Sequence, residues 1–352
     1  MEINHLFRLA AENKASDIHL LFGQPPILRR DGQLIDLNKA AKGEKFNVLT
    51  AADLETFVNA LLSREGKARF FNKRDLDYGY QLGPYRFRVN FSFEKNNISI
   101  VARVIEKQKP SLEEIGMPPV VKELLSLPQG FILITGPTGC GKSTTLAAMV
   151  NYINDTRSVN IVTLEDPIEF IFTPNKSLIA QRQLGTDMLS FASGLKHVLR
   201  QDPNVIMVGE MRDLETISTA VTIAETGHLV LATLHTYSAA QTIDRIIDIF
   251  PPYQQNQIKS QLSYVLTAVI SQRLLLRREG GRVAAREILI NNSAVANLIR
   301  EGKIGQINSA IETGASLGMI RLGRHIKELY KAGVISQAEA QRAVEDPRIL
   351  EN

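Results

Sequence analysis

The residues with the most chemical content are Gly136, Pro137, Thr138, Gly139, Cys140, Gly141, Lys142, Ser143 and Thr144. They match G-x-x-x-x-G-K-[ST], with the apolar run FILIT before them and helix-spaced residues after them. Glycines let successive backbone N–H groups turn inward around phosphate oxygens, and the N-terminus of the following helix adds its positive end. Lys142 is expected to reach β- and γ-phosphates, and Ser143 to ligate magnesium. The stretch is therefore shaped for a polyphosphate. Cys140 admits two readings: a small residue where only the backbone matters, or a thiol made reactive by the helix N-terminus and Lys142.

Hydrolysis asks for more than binding: a second contact for magnesium and a group that orients water. The stretch VTLEDPIEF supplies Glu165, Asp166 and Glu169 after one apolar run, and VIMVGEMRD supplies Glu210 after another. A lone carboxylate at a strand end is commonly a helix cap or a solvated loop residue. Two acidic clusters in the sheet that carries a phosphate loop favour function. His228 and His235 bracket LVLATL. An extended segment of that length separates them by roughly 23 Å, too far to share a metal. His235, at the C-terminal end, is the better placed to touch a γ-phosphate or a neighbouring subunit.

These groups need a scaffold, and the pattern supplies one. From residue 121 the runs GFILITG, VNIVTLED, NVIMVGE and HLVLATLH alternate with helix-length segments. That predicts an α/β core with a parallel sheet covered on both faces and ligands beyond the carboxyl ends of the strands. After residue 255 the spacing becomes mostly helical, with Ile258, Leu262, Val265, Leu266, Val269 and Ile270 on one stripe. LLLRREGGRVAAREILI reads as a hairpin turning at Gly280 and Gly281, and Ser336 with Glu339 as a capping box for a last helix.

Residues 1–108 read as a small α+β domain. HLFRLAAENKAS and LETFVNALLSREGKARFF have helical spacing, and YRFRVNFSF puts Tyr85, Phe87, Val89, Phe91 and Phe93 on one face and Arg86 and Arg88 on the other. Three prolines and a charge cluster in KQKPSLEEIGMPP mark a linker over 109–120. With 352 residues, 44% hydrophobic and 22% charged, the chain is long enough for two cores. Its net charge of +4 is spread out rather than gathered in runs, which does not argue for nucleic acid. No run reaches membrane-span length or resembles a secretory leader, and one cysteine excludes an internal disulfide, so a cytoplasmic protein is expected.

Taken together, GPTGCGKST, LEDPIEF, VGEMRDLETI and AETGHLVLATLHTYSAAQTIDRIIDIFP are similar, in order and spacing, to the Walker A, Asp box, Walker B and His box of the type II/IV secretion ATPase superfamily. ASDIHL and RFRVN fit that family's PAS-like N-terminal domain, so the resemblance covers nearly the whole chain. The short length, the lack of a four-cysteine zinc insertion and the stretch AVANLIREGK resemble the branch that retracts type IV pili in twitching motility.

The resemblance implies a homohexameric ring of RecA-like P-loop ATPase domains using ATP and Mg2+. It implies a place at the inner face of the cytoplasmic membrane, an inner-membrane platform protein as partner, and pilus subunits acted on indirectly. Glu210 would help hold magnesium, and Glu169 would polarise the attacking water. Arg88 and Arg103 would reach a nucleotide held across a domain or subunit boundary. Arg182 and Arg200 match further family arginines, and Glu165, Asp166 and His228 fall within the boxes expected to line the nucleotide. Thr186 and Lys196 stand where arginines are usual, Ala296 replaces an arginine, and GMIRLGRHI departs from the family pattern. ATP hydrolysis is thus more firmly implied than retraction. An accessory paralogue, or a nucleotide-gated regulatory subunit with weak hydrolysis, stays open beside it. A nucleic-acid motor would need a basic stripe interleaved with aromatics, and the sequence has none.

Overall fold

Two patterns of apolar residues, one alternating and one continuous, build two different sheets. In the computed structural model, residues 1–30, 32–40, 44–105, 110–344 and 346–350 are described. The chain divides into one unit of Met1–Gln108 with Pro167–Ile171, and another of Lys109–Asp166 with Phe172–Asn352. The linker start expected at residue 109 falls on 106–109, outside the described residues.

The first unit holds strands β1 (Asp17–Leu21), β2 (Ile27–Arg30), β3 (Gln33–Asp36), β4 (Asp75–Leu82), β5 (Tyr85–Glu94) and β6 (Asn97–Ile105). They form an antiparallel sheet in the order β3-β2-β1-β6-β5-β4. Helices α1 (Ile3–Glu12), α2 (Leu37–Ala40), α3 (Ala51–Leu61) and α4 (Arg64–Lys73) accompany it. Alternation along β5 buries Phe87, Val89 and Phe91 completely, and Phe7 from α1 stacks on Phe87 with ring centroids 4.7 Å apart. The stretch LETFVNALLSREGKARFF is two helices, not one. Ser63 interrupts it, its hydroxyl accepting from the Gly66 N–H to cap α4.

The second unit is built on β7 (Gly130–Thr135), β8 (Asn160–Glu165), β9 (Leu178–Gln183), β10 (Val205–Val208), β11 (Leu229–Leu234), β12 (Leu266–Leu276) and β13 (Arg282–Ile290). The sheet order is β13-β12-β7-β11-β10-β8-β9, parallel throughout except for β13. Around it lie α5 (Val120–Ser126), α6 (Lys142–Thr156), α7 (Phe191–Val198), α8 (Leu214–Glu225), α9 (Ala239–Asp248), α10 (Pro252–Val265), α11 (Ser293–Arg300), α12 (Ile307–Thr313), α13 (Leu322–Lys331) and α14 (Gln337–Ala343). Every residue of β7, β10 and β11 is buried, as expected for central strands covered on both faces. Among the described residues no helix is long and apolar enough to cross a membrane.

The C-terminal part corrects the sequence reading twice. The helical stripe stops at Val265: Leu266, Val269 and Ile270 belong to β12, which pairs with β7 and extends the sheet. A short apolar run fits either period, and the β-branched Thr267, Val269 and Ile270 favour the strand here. At α14 only half of the capping box forms. The Ser336 hydroxyl accepts from the Glu339 N–H, but the Glu339 carboxylate accepts from the Leu276 N–H at 2.9 Å instead.

The β12–β13 hairpin is held from behind by a buried charge. Arg286 donates to the carbonyls of Gly116 (3.0 Å) and Ile115 (2.7 Å), and burial pushes its guanidinium down to about 10. His325 Nδ1 accepts from the Arg286 N–H at 3.0 Å, so that nitrogen is unprotonated. Burial, then the Arg286 charge, lowers the His325 pKa below its ordinary 6.5. At low pH the unfolded chain therefore binds a proton that the folded chain resists. Stability is full above 6.5 and is lost as pH falls through the depressed folded value. His325→Asn, which keeps an acceptor and does not titrate, is expected to shrink the difference in urea midpoint between about pH 7.5 and 5.5. An undiminished difference would assign the acid loss to other groups, of which His19, likewise lowered by burial, is the first.

Candidate active site

Parallel strands send their carboxyl ends to one edge, so β7, β8, β10 and β11 deliver the phosphate loop, Glu165, Glu210 and His235 to the same side of the sheet. Gly136, Gly139 and Gly141 have φ of +142°, +77° and +89°, a run of backbone that L side chains rarely adopt. Lys142 Nζ donates to the carbonyls of Gly136 (2.8 Å) and Pro137 (3.0 Å), which sets its ammonium against the loop.

The start of α6 tests whether these residues fit a nucleotide. Helices α7, α8, α9, α11 and α14 are each capped by a side chain, from Ser190, Asp213, Ser238, Asn292 and Ser336 respectively, whereas α5, α10, α12 and α13 are not, so a missing cap alone does not mark a site. No side chain caps α6; its N-cap is Gly141, and Ser143 in its first turn is exposed. A buffered ammonium, an uncapped helix N-terminus and a glycine loop form the donor set that phosphate oxygens require. The residues fit ATP, and the exposed Ser143 hydroxyl suits Mg2+, a hard cation that takes oxygen ligands. Cys140 is buried and burial pushes its thiol up, an effect larger than the opposing pull of Lys142. Its Sγ lies 2.6 Å from where a Cβ on Gly136 would stand, so it packs under the loop. This is the inert reading, in which a small side chain is what the position needs.

Glu210 follows β10 and is 16% exposed. Its carboxylate pairs with Arg212 at 2.7 Å and lies 3.5 Å from His235 Nε2. Gly209 makes this possible: its N–H donates to the Leu164 carbonyl at 2.8 Å, and a Cβ there would stand 3.2 Å from that oxygen. Glu165 is buried and accepts from the Thr163 hydroxyl (2.6 Å) and the Gln181 amide (3.0 Å). Asp166, next along, is exposed.

Arg88 and Arg103 are direct cross-strand partners on β5 and β6. Two like charges so placed repel, and carboxylates offset them. Asp77 accepts from Arg88 at 3.3 Å, Asp17 accepts from Arg103 at 2.9 Å, and Glu169 lies 4.0 Å from Arg88. All of these belong to the first unit, because Pro167–Ile171 does.

Three expected site residues stand away from the loop of their own chain. His228 precedes β11, at the opposite strand end from His235, with Nδ1 bonded to the Ile223 carbonyl (3.1 Å) and the Thr226 hydroxyl (3.2 Å). These bonds give His228 a structural place at the far end of the strand. Arg200 is exposed just after α7, on the side from which β10 starts. Arg182 lies on edge strand β9, four strands from β7 or roughly 19 Å, donating to the Asp187 carbonyl. Of the departures, Lys196 pairs with Glu215, and the Thr186 hydroxyl reaches the Gln183 carbonyl at 3.4 Å. Sequence reading missed Gly209, and Gln272 of β12, whose amide bonds to the Cys140 carbonyl and the Thr145 hydroxyl. For Gln272 the available signal was a polar pair inside an apolar run, in ISQRL.

A parallel sheet with a glycine phosphate loop after one strand, and an acid and a histidine after the next two, defines a RecA-like P-loop ATPase. The model of the family described as type II/IV secretion system protein matches residues 2–310. The chain belongs to that family. It is 43% identical over 348 residues, 99% of each chain, to the type IV pilus retraction ATPase PilT of Pseudomonas aeruginosa. It is 47% identical over 300 residues, 85% of this chain and 80% of the relative, to a twitching motility protein of Neisseria gonorrhoeae. A crystal structure of the pilus retraction motor PilT with bound ADP matches with a TM-score of 0.91 and 41% identity, covering 100% of this chain and 99% of that one.

Proposed function

We propose that this chain is a motor ATPase that drives type IV pilus retraction, working as a ring of six copies at the inner face of the cytoplasmic membrane. The observation that carries the reading is one edge of one sheet. There an uncapped helix N-terminus, Lys142 and a positive-φ glycine loop share the strand ends with Glu210 and His235. The full-length likeness to a retraction ATPase, rather than to one domain of it, supports the choice of cargo.

The loop amides and Lys142 bind and orient the phosphates. Mg2+, when bound, neutralises charge on the β- and γ-phosphate oxygens, and Ser143 and Glu210 are the residues that would hold it. Glu169 polarises the attacking water. Arg88 and Arg103 offset charge that develops on the transferred phosphoryl group. His235, 3.5 Å from Glu210, orients that carboxylate and follows whether the site is filled. The inner-membrane platform protein receives the motion and passes it to the pilus subunits.

Steady-state ATP hydrolysis per chain, measured against protein concentration with light scattering in parallel, tests the reading. Turnover per chain is expected to rise as hexamers form, and supplying the chain to a retraction-deficient strain is expected to restore twitching. Hexamers with negligible turnover would favour the nucleotide-gated accessory subunit.

A further inference from the structure

Among the polar side chains of strand β12, which lies outside the boxes of the family pattern, Gln272 is the one whose amide reaches the phosphate loop. Gln272 is 2% exposed, and both ends of its amide are engaged. Its Nε2 donates to the Cys140 carbonyl at 2.8 Å, inside the phosphate loop, and its Oε1 accepts from the Thr145 hydroxyl at 3.0 Å, in the first turn of α6. Its backbone oxygen lies only 2.3 Å from where a Cβ on Gly136 would stand, and its Nε2 lies 3.4 Å from the same point on Gly141. One residue thus borders the loop at its first glycine, at Cys140 and at its last glycine.

A buried amide left without partners is strongly unfavourable, so its burial in this strand is accounted for by these two bonds. Their consequence follows from peptide geometry. In a trans peptide the C=O and N–H point in opposite directions. Holding the Cys140 carbonyl toward β12 therefore turns the Gly141 N–H away from β12, where a phosphate oxygen needs a donor. The Thr145 bond ties the same amide to the helix that supplies the positive end. Behind the strand, Arg286 opposite Gln272 on β13 is anchored to the carbonyls of Ile115 and Gly116, so the support is itself held.

We propose that Gln272 is a positioning residue for the nucleotide, fixing the loop in its phosphate-binding shape before ligand arrives. This rests on the reading of the loop as a nucleotide site. It predicts an effect on affinity more than on the chemical step.

The test is equilibrium titration of the full chain with a fluorescent ADP analogue and Mg2+, alongside thermal melting without nucleotide and kinetics at saturating ATP. Gln272→Met keeps the shape and removes both bonds; Gln272→Glu keeps the acceptor and sets a carboxylate against the Cys140 carbonyl. Both are expected to raise Kd by about tenfold or more, raise KM in step, and leave kcat within about threefold. Thr145→Val, which removes one bond, is expected to raise Kd by about threefold, and the Thr145→Val, Gln272→Met pair to exceed Gln272→Met alone by little. A merely structural role would lower the melting temperature and leave the Kd of the folded protein unchanged. Kd within twofold of wild type in both Gln272 variants would overturn the proposal. If Gln272→Met does not fold, an unchanged Kd in Gln272→Glu or in Thr145→Val overturns it alone. Wild-type protein that fails to bind the analogue would instead sink the nucleotide reading beneath it.

Discussion

Glu210→Gln is expected to lower ATP turnover by about a thousandfold while leaving the affinity for ADP without Mg2+ within about threefold. The substitution keeps volume and removes one negative charge at the end of β10, where the carboxylate sits between Arg212 at 2.7 Å and His235 at 3.5 Å. Arg212 is largely exposed, so losing that ion pair costs at most about 1 kcal/mol. The fold and the loop that binds the phosphates therefore persist, and only the charge that the chemical step requires is missing. Single-turnover kinetics with an equilibrium titration separates the two effects. A turnover within tenfold of wild type would remove Glu210 from the reaction and shift attention to Glu165 and Glu169.

Gly136→Ala is expected to abolish nucleotide binding, with affinity down by at least about a hundredfold, and to destabilise the ATPase unit by roughly 2–4 kcal/mol. At φ +142° an alanine is strained. Its Cβ would also stand 2.3 Å from the Gln272 carbonyl oxygen and 2.6 Å from Cys140 Sγ. The first obstacle is backbone of β12, a strand paired on both sides, and cannot move aside, so the loop must. Gly139→Ala is the control. Its φ of +77° costs about 1 kcal/mol in backbone strain, but nothing lies within 4 Å of the added carbon. Gly139→Ala is expected to keep most of its affinity. Equal losses in the two variants would mean that glycine flexibility, and not the close approach of β12, is what the loop needs.

The sequence by itself determined the local chemistry. Four apolar runs ending in polar residues predicted β7, β8, β10 and β11, because a strand buried on both faces takes no charged side chain until its end. The spacing of Gly136, Gly141 and Lys142 predicted a phosphate loop between a strand and a helix, because three local constraints on backbone and charge leave few other uses. Alternation in YRFRVNFSF placed Arg88 opposite the core face before any contact was known.

What the tertiary structure decided was which of these residues meet. His235 differs from His228 as sequence only in standing at the C-terminal end of the run, and strand direction is what sends it to the loop edge and His228 away from it. Arg182 reads like any other motif arginine until strand order puts it four strands from β7. The run from Leu266 fits a helix or a strand equally, and pairing with β7 chose the strand. Gln272 and Thr145 are 127 positions apart and have no common pattern, yet they share one hydrogen bond. Periodicity and motif spacing act over a few turns of chain, whereas register, strand order and buried polar pairing are settled only when distant segments compete for the same core.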